Sequence, residues 1–115
     1  MEFTHLFAGI RVADRGAFGW YERFFGRPAD RHPHDDEVVW QLTDSGLVYV
    51  VVDRPRAGNA LVMIFIDDID AAVAALAERG IAAGDVTVVG NGVRSVPVID
   101  PDGNRIAFGQ MPTDV

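Results

Sequence analysis

Residues 7–14 read Phe-Ala-Gly-Ile-Arg-Val-Ala-Asp, and residues 61–68 read Leu-Val-Met-Ile-Phe-Ile-Asp-Asp. Each is an apolar, strand-like run that ends on an aspartate. A stretch with helical spacing follows each, and each stops at a glycine, Gly26 in the first case and Gly80 in the second. The matched features lie 54 residues apart in a chain of 115, which points to two copies of one structural unit.

The first copy opens with a strand over 5–13. Asp14 is placed to cap a helix, because its carboxylate can accept from free N–H groups of the first turn. Ala17, Phe18, Tyr21, Phe24 and Phe25 then recur at helical spacing, and Gly26 supplies the positive φ of a helix stop. The segment 27–36, polar and broken by proline, reads as a loop with room for a short strand. Strands at about 37–43 and 47–53 follow, joined by the turn Asp44-Ser45-Gly46. The stretch 54–59 is the connector. The second copy repeats the pattern with a strand at 60–67, a helix capped by Asp68 and stopped by Gly80, and strands near 85–89, 93–99 and 105–110. Asn91-Gly92 is a tight-turn signal. The fold class is α+β, two tandem βαβββ units at about 3–55 and 59–112 in a single domain, 1–115.

Composition removes several functions. A net charge of −7 opposes a nucleic-acid partner, which requires a basic face. It favours a cationic guest over an anionic one. No apolar run approaches the ~20 residues of a membrane helix, so no membrane partner is expected. The absence of cysteine excludes thiolate metal sites and disulfides. With no basic-then-apolar leader after Met1, the expected location is the cytoplasm.

Four segments carry a resemblance: Arg11-Val12-Ala13-Asp14, Trp20 to Gly26, Asp67 to Ala72, and Asp100-Pro101-Asp102-Gly103-Asn104-Arg105-Ile106. In this order and spacing the chain resembles the vicinal oxygen chelate superfamily, which includes glyoxalase I, extradiol dioxygenases and bleomycin-resistance proteins. The resemblance implies curved sheets forming a cup that holds the ligand, and a homodimer. It also implies four metal-ligand positions, one on the first and one on the last strand of each unit. Counted from the strand-end aspartates these are Phe7 and Leu61. Counted from the turn glycines, with Gly46 aligned on Gly103, they are Val50 and Ala107. None of these side chains offers a lone pair to a divalent cation, so neither metal nor other cofactor is expected.

Strand alternation gives faces. Ile10 and Val12 should meet the helix, so Phe7, Gly9 and Arg11 should face the cup, as should Leu61, Met63 and Phe65. His5 shares that parity and is a polar contact, a lone base or a solvated strand end. Arg11 needs a partner, either an anionic ligand or an acid such as Asp53 or Asp67. Arg105 has the same ambiguity. Trp40 and Tyr49 have no secure face, because the hairpin register is open. His32 and His34 beside Asp35 and Asp36 form either a small metal clip or a solvated loop. The ligand-binding candidates are therefore His5, Phe7, Arg11, Trp40, Val50, Leu61, Met63, Phe65, Arg105 and Ala107, with no metal ligand among them.

Three functional readings follow. The first is a metal-independent small-molecule binding protein, such as one that sequesters an antibiotic. The second is an enzyme of the same fold with a non-standard site using His5 or Arg11. The third is an interaction module whose cup is filled by side chains.

Overall fold

The structure is a computed structural model that describes residues 1–113. Asp114 and Val115, the end of the expected single domain, lie outside the described residues. The element order is β1 (Leu6–Val12), α1 (Gly16–Phe25), β2 (Arg31–His34), β3 (Glu37–Gln41), β4 (Gly46–Val52), β5 (Leu61–Phe65), α2 (Ile69–Glu78), β6 (Thr87–Val88), β7 (Arg94–Ile99) and β8 (Arg105–Gln110). These make two four-stranded mixed sheets of like order, β1-β4-β3-β2 and β5-β8-β7-β6. In each, the first and last strands pair in parallel and the others pair antiparallel. Two βαβββ units are therefore present, and neither sheet closes on itself.

Local chemistry explains the boundaries, with two departures from the sequence reading. Asp68 caps α2 as expected, its Oδ1 accepting from Ala71 N at 3.0 Å. In α1 the cap position falls to Arg15, and Asp14, one residue before it, accepts from Gly16 N, the first residue of the helix, at 2.8 Å. The segment 27–36 contains a strand, β2, whose residues are all exposed. Asn91 and Gly92 both take positive φ, 62° and 75°, which is the geometry an Asn-Gly turn favours. The strand expected over 85–89 shrinks to Thr87–Val88.

The helix-side faces of the two sheets share one core. Ile10, Val12, Val48 and Val50 from the first unit meet Val96, Val98, Ile106 and Phe108 from the second, with Tyr21 and Phe24 of α1 among them. Phe24 stacks on Phe108 with ring centroids 5.2 Å apart and planes 7° from parallel. The helix ends are joined as well. Arg79 Nη2 donates to Phe24 O at 3.2 Å and Arg79 Nε donates to Arg23 O, while Arg23 Nη1 reaches back to Arg79 O at 3.4 Å. Each guanidinium thus satisfies carbonyls that a helix C-terminus leaves open, where positive charge is also favoured.

A buried polar hub completes the junction. Asp100 Oδ1 accepts from Asp102 N and Asn104 N, which folds the Asp-Pro-Asp-Gly-Asn turn. Its Oδ2 accepts from Tyr21 Oη at 2.6 Å and Asn104 Nδ2 at 2.8 Å. Asn104 Nδ2 also donates to Arg11 O, and Asn104 Oδ1 accepts from Ala60 N, both at 2.9 Å. Asp102 Oδ2 accepts from Ala13 N at 3.2 Å. One turn therefore holds the end of β1, the start of β5 and the middle of α1.

Two predictions follow from the hub. Asn104→Ala orphans the Arg11 carbonyl and the Ala60 N–H, and should cost about 2–4 kcal/mol of stability in denaturant unfolding; a loss below about 1 kcal/mol would show that the hub is replaceable. The second concerns alkaline pH. Burial, and then the bond to Asp100, push the Tyr21 hydroxyl pKa well above the ordinary tyrosine value. Below about pH 10 both folded and unfolded chains hold this proton. Above it the unfolded chain releases the proton and the folded chain keeps it, so this contribution to stability is lost as pH rises. Unfolding free energy should fall more steeply between pH 9 and 11 in the wild type than in Tyr21→Phe, and equal slopes would refute the assignment.

Candidate functional site

The open face of each sheet, away from the helices, carries the candidate site. In the first sheet the ladder sets Phe7 beside Leu47, Gly9 beside Tyr49 and Arg11 beside Val51. The next strand continues these rows with Gln41, Val39 and Glu37, and Arg31 lies opposite Val39. In the second sheet the open rows begin with Leu61 beside Arg105, Met63 beside Ala107 and Phe65 beside Gly109. The faces expected for Phe7, Arg11, Leu61, Met63 and Phe65 are those observed. Phe7, Leu61, Met63 and Phe65 are 50%, 76%, 47% and 53% exposed, so a single chain presents two half-cups and no closed cup.

Two expected site residues lie elsewhere. Val50 pairs with Ile10 and is fully buried on the helix side. The reason is a register slip. The parallel partner lies 40 residues on in the first unit (Leu6 to Gly46) and 44 on in the second (Leu61 to Arg105). The two last strands are therefore offset by four residues more than the first strands, 58 in all. Aligning Gly46 on Gly103 gives 57. One residue of slip exchanges the faces, so the counterpart of Ala107 is Tyr49. Trp40 pairs with Val48 and is likewise fully buried, against Phe25 and Tyr21, with its indole N–H donating to Arg27 O at 3.0 Å.

The residues that sequence reasoning missed are Tyr49, Arg31 and Gln41. Tyr49 lies across Gly9, where an added Cβ would come within 2.5 Å of the tyrosine oxygen, and its ring sits 6.4 Å from that of Phe7. The signal was present in the bare Gly9, since a glycine inside a strand marks close approach. Arg31 and Gln41 join His5, Phe7 and Leu47 around a hollow of about 220 Å³ on the open face. A second, mainly apolar crevice of about 300 Å³ is lined by residues of β1, β4 and β5, helix-side Ala8, Val48, Val62 and Ile64 together with Leu47, Met63 and Phe65.

Arg11 resolves toward the protein. Its Nε lies 3.4 Å from Asp53 Oδ2, which Arg56 Nη1 also reaches at 3.1 Å. The Arg11 side chain is 56% exposed, so this is a surface pair and not a buried one. Arg105 lies on the open face and forms no ion pair among the described residues. His32, His34 and Asp35 line a separate hollow on the helix side with Phe18 and Glu22. Among the described residues, no three His, Cys, Asp or Glu side chains gather so as to hold a metal ion. With the corrected register, the positions equivalent to the superfamily's ligands are Phe7, Tyr49, Leu61 and Ala107. A single phenol among apolar groups does not fit a divalent cation.

A paired βαβββ chain with two unclosed, apolar sheet faces defines the structural class, and comparison with known structures gives the family. A glyoxalase/bleomycin resistance protein from Catenulispora acidiphila DSM 44928 is 40% identical, with a TM-score of 0.89 over 96% of this chain and 100% of that one. The present chain belongs to the glyoxalase/bleomycin resistance family. More distant likenesses in fold are TnmS3, an antibiotic binding protein from Streptomyces sp. CB03234, and a bleomycin-binding protein complexed with bleomycin. The first is 24% identical with a TM-score of 0.78, covering 97% of this chain and 99% of that one. The second is 16% identical with a TM-score of 0.77, covering 96% of this chain and all of that one. Neither a family model nor a curated protein matches the chain.

The half-exposed Arg11–Asp53 pair sets a small expectation for its removal. Exposed ion pairs contribute about 0–1 kcal/mol. Arg11→Met should therefore shift unfolding free energy by no more than about 1 kcal/mol. A loss of about 3–5 kcal/mol, the cost of breaking a buried pair, would show that Arg11 is desolvated in solution.

Proposed function

We propose that the protein binds a small, largely apolar molecule without a metal ion, in a cup formed when the first sheet of one copy faces the second sheet of another. The observation that carries this reading is the pair of open sheet faces with Phe7, Leu61, Met63 and Phe65 in water. Soluble monomers rarely leave such side chains clustered on a face. A second copy covers them, and a two-fold operation makes both cups at once. Aromatic, methionine and aliphatic side chains with a few polar groups are the usual lining of a small-molecule site. The names of the two antibiotic- and bleomycin-binding neighbours support binding over turnover. The proposed contacts are His5, Phe7, Arg11, Leu61, Met63, Phe65, Arg105 and Ala107, with Tyr49 and Arg31 added and the buried Val50 and Trp40 removed. Among the described residues no helix is long and apolar enough to cross a membrane. A cytoplasmic setting is part of the same proposal, drawn from the cysteine-free composition.

Light scattering at micromolar concentration should give a dimer, and Phe65→Asp together with Leu61→Asp should give a folded monomer. A wild-type monomer would remove the shared cup. Purified protein should carry no stoichiometric divalent metal by elemental analysis, and chelator should leave Tm unchanged. A ligand screen by thermal shift should return hits, since ligand at about 100 times Kd adds about 2.7 kcal/mol. Those hits should bind equally with and without chelator, and a chelator-sensitive hit would sink metal independence.

A further inference from the structure

We propose that the ligand of this cup carries an anionic group, such as a carboxylate, on an aromatic or apolar body, and that Arg31 is the residue that selects it. The inference rests on the binding reading above and reverses the cationic preference expected from the net charge of −7.

Overall charge and site charge differ here because the acids lie elsewhere. On the open face of the second sheet, Arg105 is the only ionisable residue at a strand position. On the first sheet the charged strand positions are Arg11, Arg31 and Glu37, with the phenol of Tyr49 on the same face and His34 opposite Glu37 in the ladder. Glu37 shares the row of Val51 and Arg11, and Asp53 pairs with Arg11 and Arg56 at that same end. The other end of the sheet, the row of Phe7, Leu47 and Gln41, has no acid on its strands. The hollow of about 220 Å³ lies at that acid-free end, with Arg31 and His5 as its ionisable lining.

The carboxylate next to Arg31 in sequence, Asp30, is already committed. Both oxygens of Asp30 accept from Arg27 Nη1 at 2.7 Å, and Oδ2 also accepts from Gln41 N. These bonds hold the Asp30 carboxyl below its usual range, the Arg27 contact being the largest cause. Arg31 itself forms no ion pair among the described residues. Its planar fork of donors therefore remains available, and it matches a carboxylate bidentately. His5 offers a ring N–H in either protonation state. Gln41 donates its amide hydrogens to Thr43 O and Asp44 O, so it shapes the wall and leaves the charge to Arg31. Phe7 beside Tyr49 supplies an apolar floor. Arg105 is the one charged strand position that the open face of the second sheet would bring to the proposed cup.

The test uses three probes of one shape: 2-naphthoate, 2-naphthylmethanol and 2-naphthylmethylammonium. Each is titrated calorimetrically into the wild-type protein, Arg31→Gln and Arg54→Gln. Arg54 lies on the connector beside Asp14, so its replacement matches the change in net charge away from the hollow. Naphthoate should bind at least tenfold more tightly than the ammonium. Arg31→Gln should weaken naphthoate at least fivefold, leave the alcohol unchanged, and melt as the wild type does. Arg54→Gln should keep the wild-type order. Equal affinities, or a preference for the ammonium, would overturn the anionic assignment while leaving the binding function standing. An equal loss in both arginine variants would reduce Arg31 to a long-range charge and overturn its selecting role. Failure of all three probes at millimolar concentration would overturn both this inference and the binding reading.

Discussion

The side-chain amide of Asn104 is the point on which the two halves of the molecule depend. It is fully buried and joins Arg11 O, Asp100 Oδ2 and Ala60 N, groups drawn from the end of β1, its own turn and the start of β5. Buried polar groups destabilise a fold unless each finds a partner. Here none of the described buried side-chain polar atoms is left without one. The hub therefore acts as a geometric constraint. It fixes where β1 ends relative to where β5 begins, and so where the two open faces lie. Tyr21 extends the same network into α1, which ties the helix position to the sheet junction.

With that junction fixed, the core and the site divide cleanly by parity. Helix-side residues of both sheets pack together, and Phe24 on Phe108 bridges the units. On the opposite faces Leu47, Val39 and Ala107 are buried within the chain, while Phe7, Leu61, Met63 and Phe65 stay exposed. Many acids of this acidic protein lie in loops, turns and ion pairs, such as Asp30 with Arg27 and Asp70 with Arg94, and the open faces hold three arginines beside the single acid Glu37 at their strand positions.

The sequence was legible where hydrophobic alternation is strict. In β1 the small and apolar residues repeat with period two, and the faces of Phe7, Ile10 and Arg11 could be read directly. The same held for β5. It failed where a motif was used in place of the ladder. The glycines of the two turns look equivalent, but four extra residues in the second unit displace its last strand, and Val50 exchanged faces with Tyr49. Trp40 was ambiguous because Val38, Val39 and Trp40 are consecutive and all buried, so alternation carries no information there. The strand β2 was hidden by its composition. Arg31-His-Pro-His34 buries none of its side chains, and it is held at the sheet edge by pairing with β3, a tertiary effect that local propensity does not encode. The short strand for which the sequence left room at about 27–33 forms at Arg31–His34, and Arg31 was not read as a site residue because its face could not be assigned.

The reciprocal contacts between the units bear on how the chain could be divided. The bonds from Asn104 to Arg11 O and from Asp102 to Ala13 N span 93 and 89 residues of sequence, so neither half can complete its own polar inventory. Each half also lacks part of the shared core. Energetically the molecule is a pair of like subunits whose association is made intramolecular by the short connector through Gly58. A short linker of this kind sets an effective concentration in the millimolar range. The interface between the halves can therefore be far weaker than that of a free dimer and still be fully occupied. The open faces of the two sheets, with Phe7, Leu61, Met63 and Phe65 exposed, take no part in that interface.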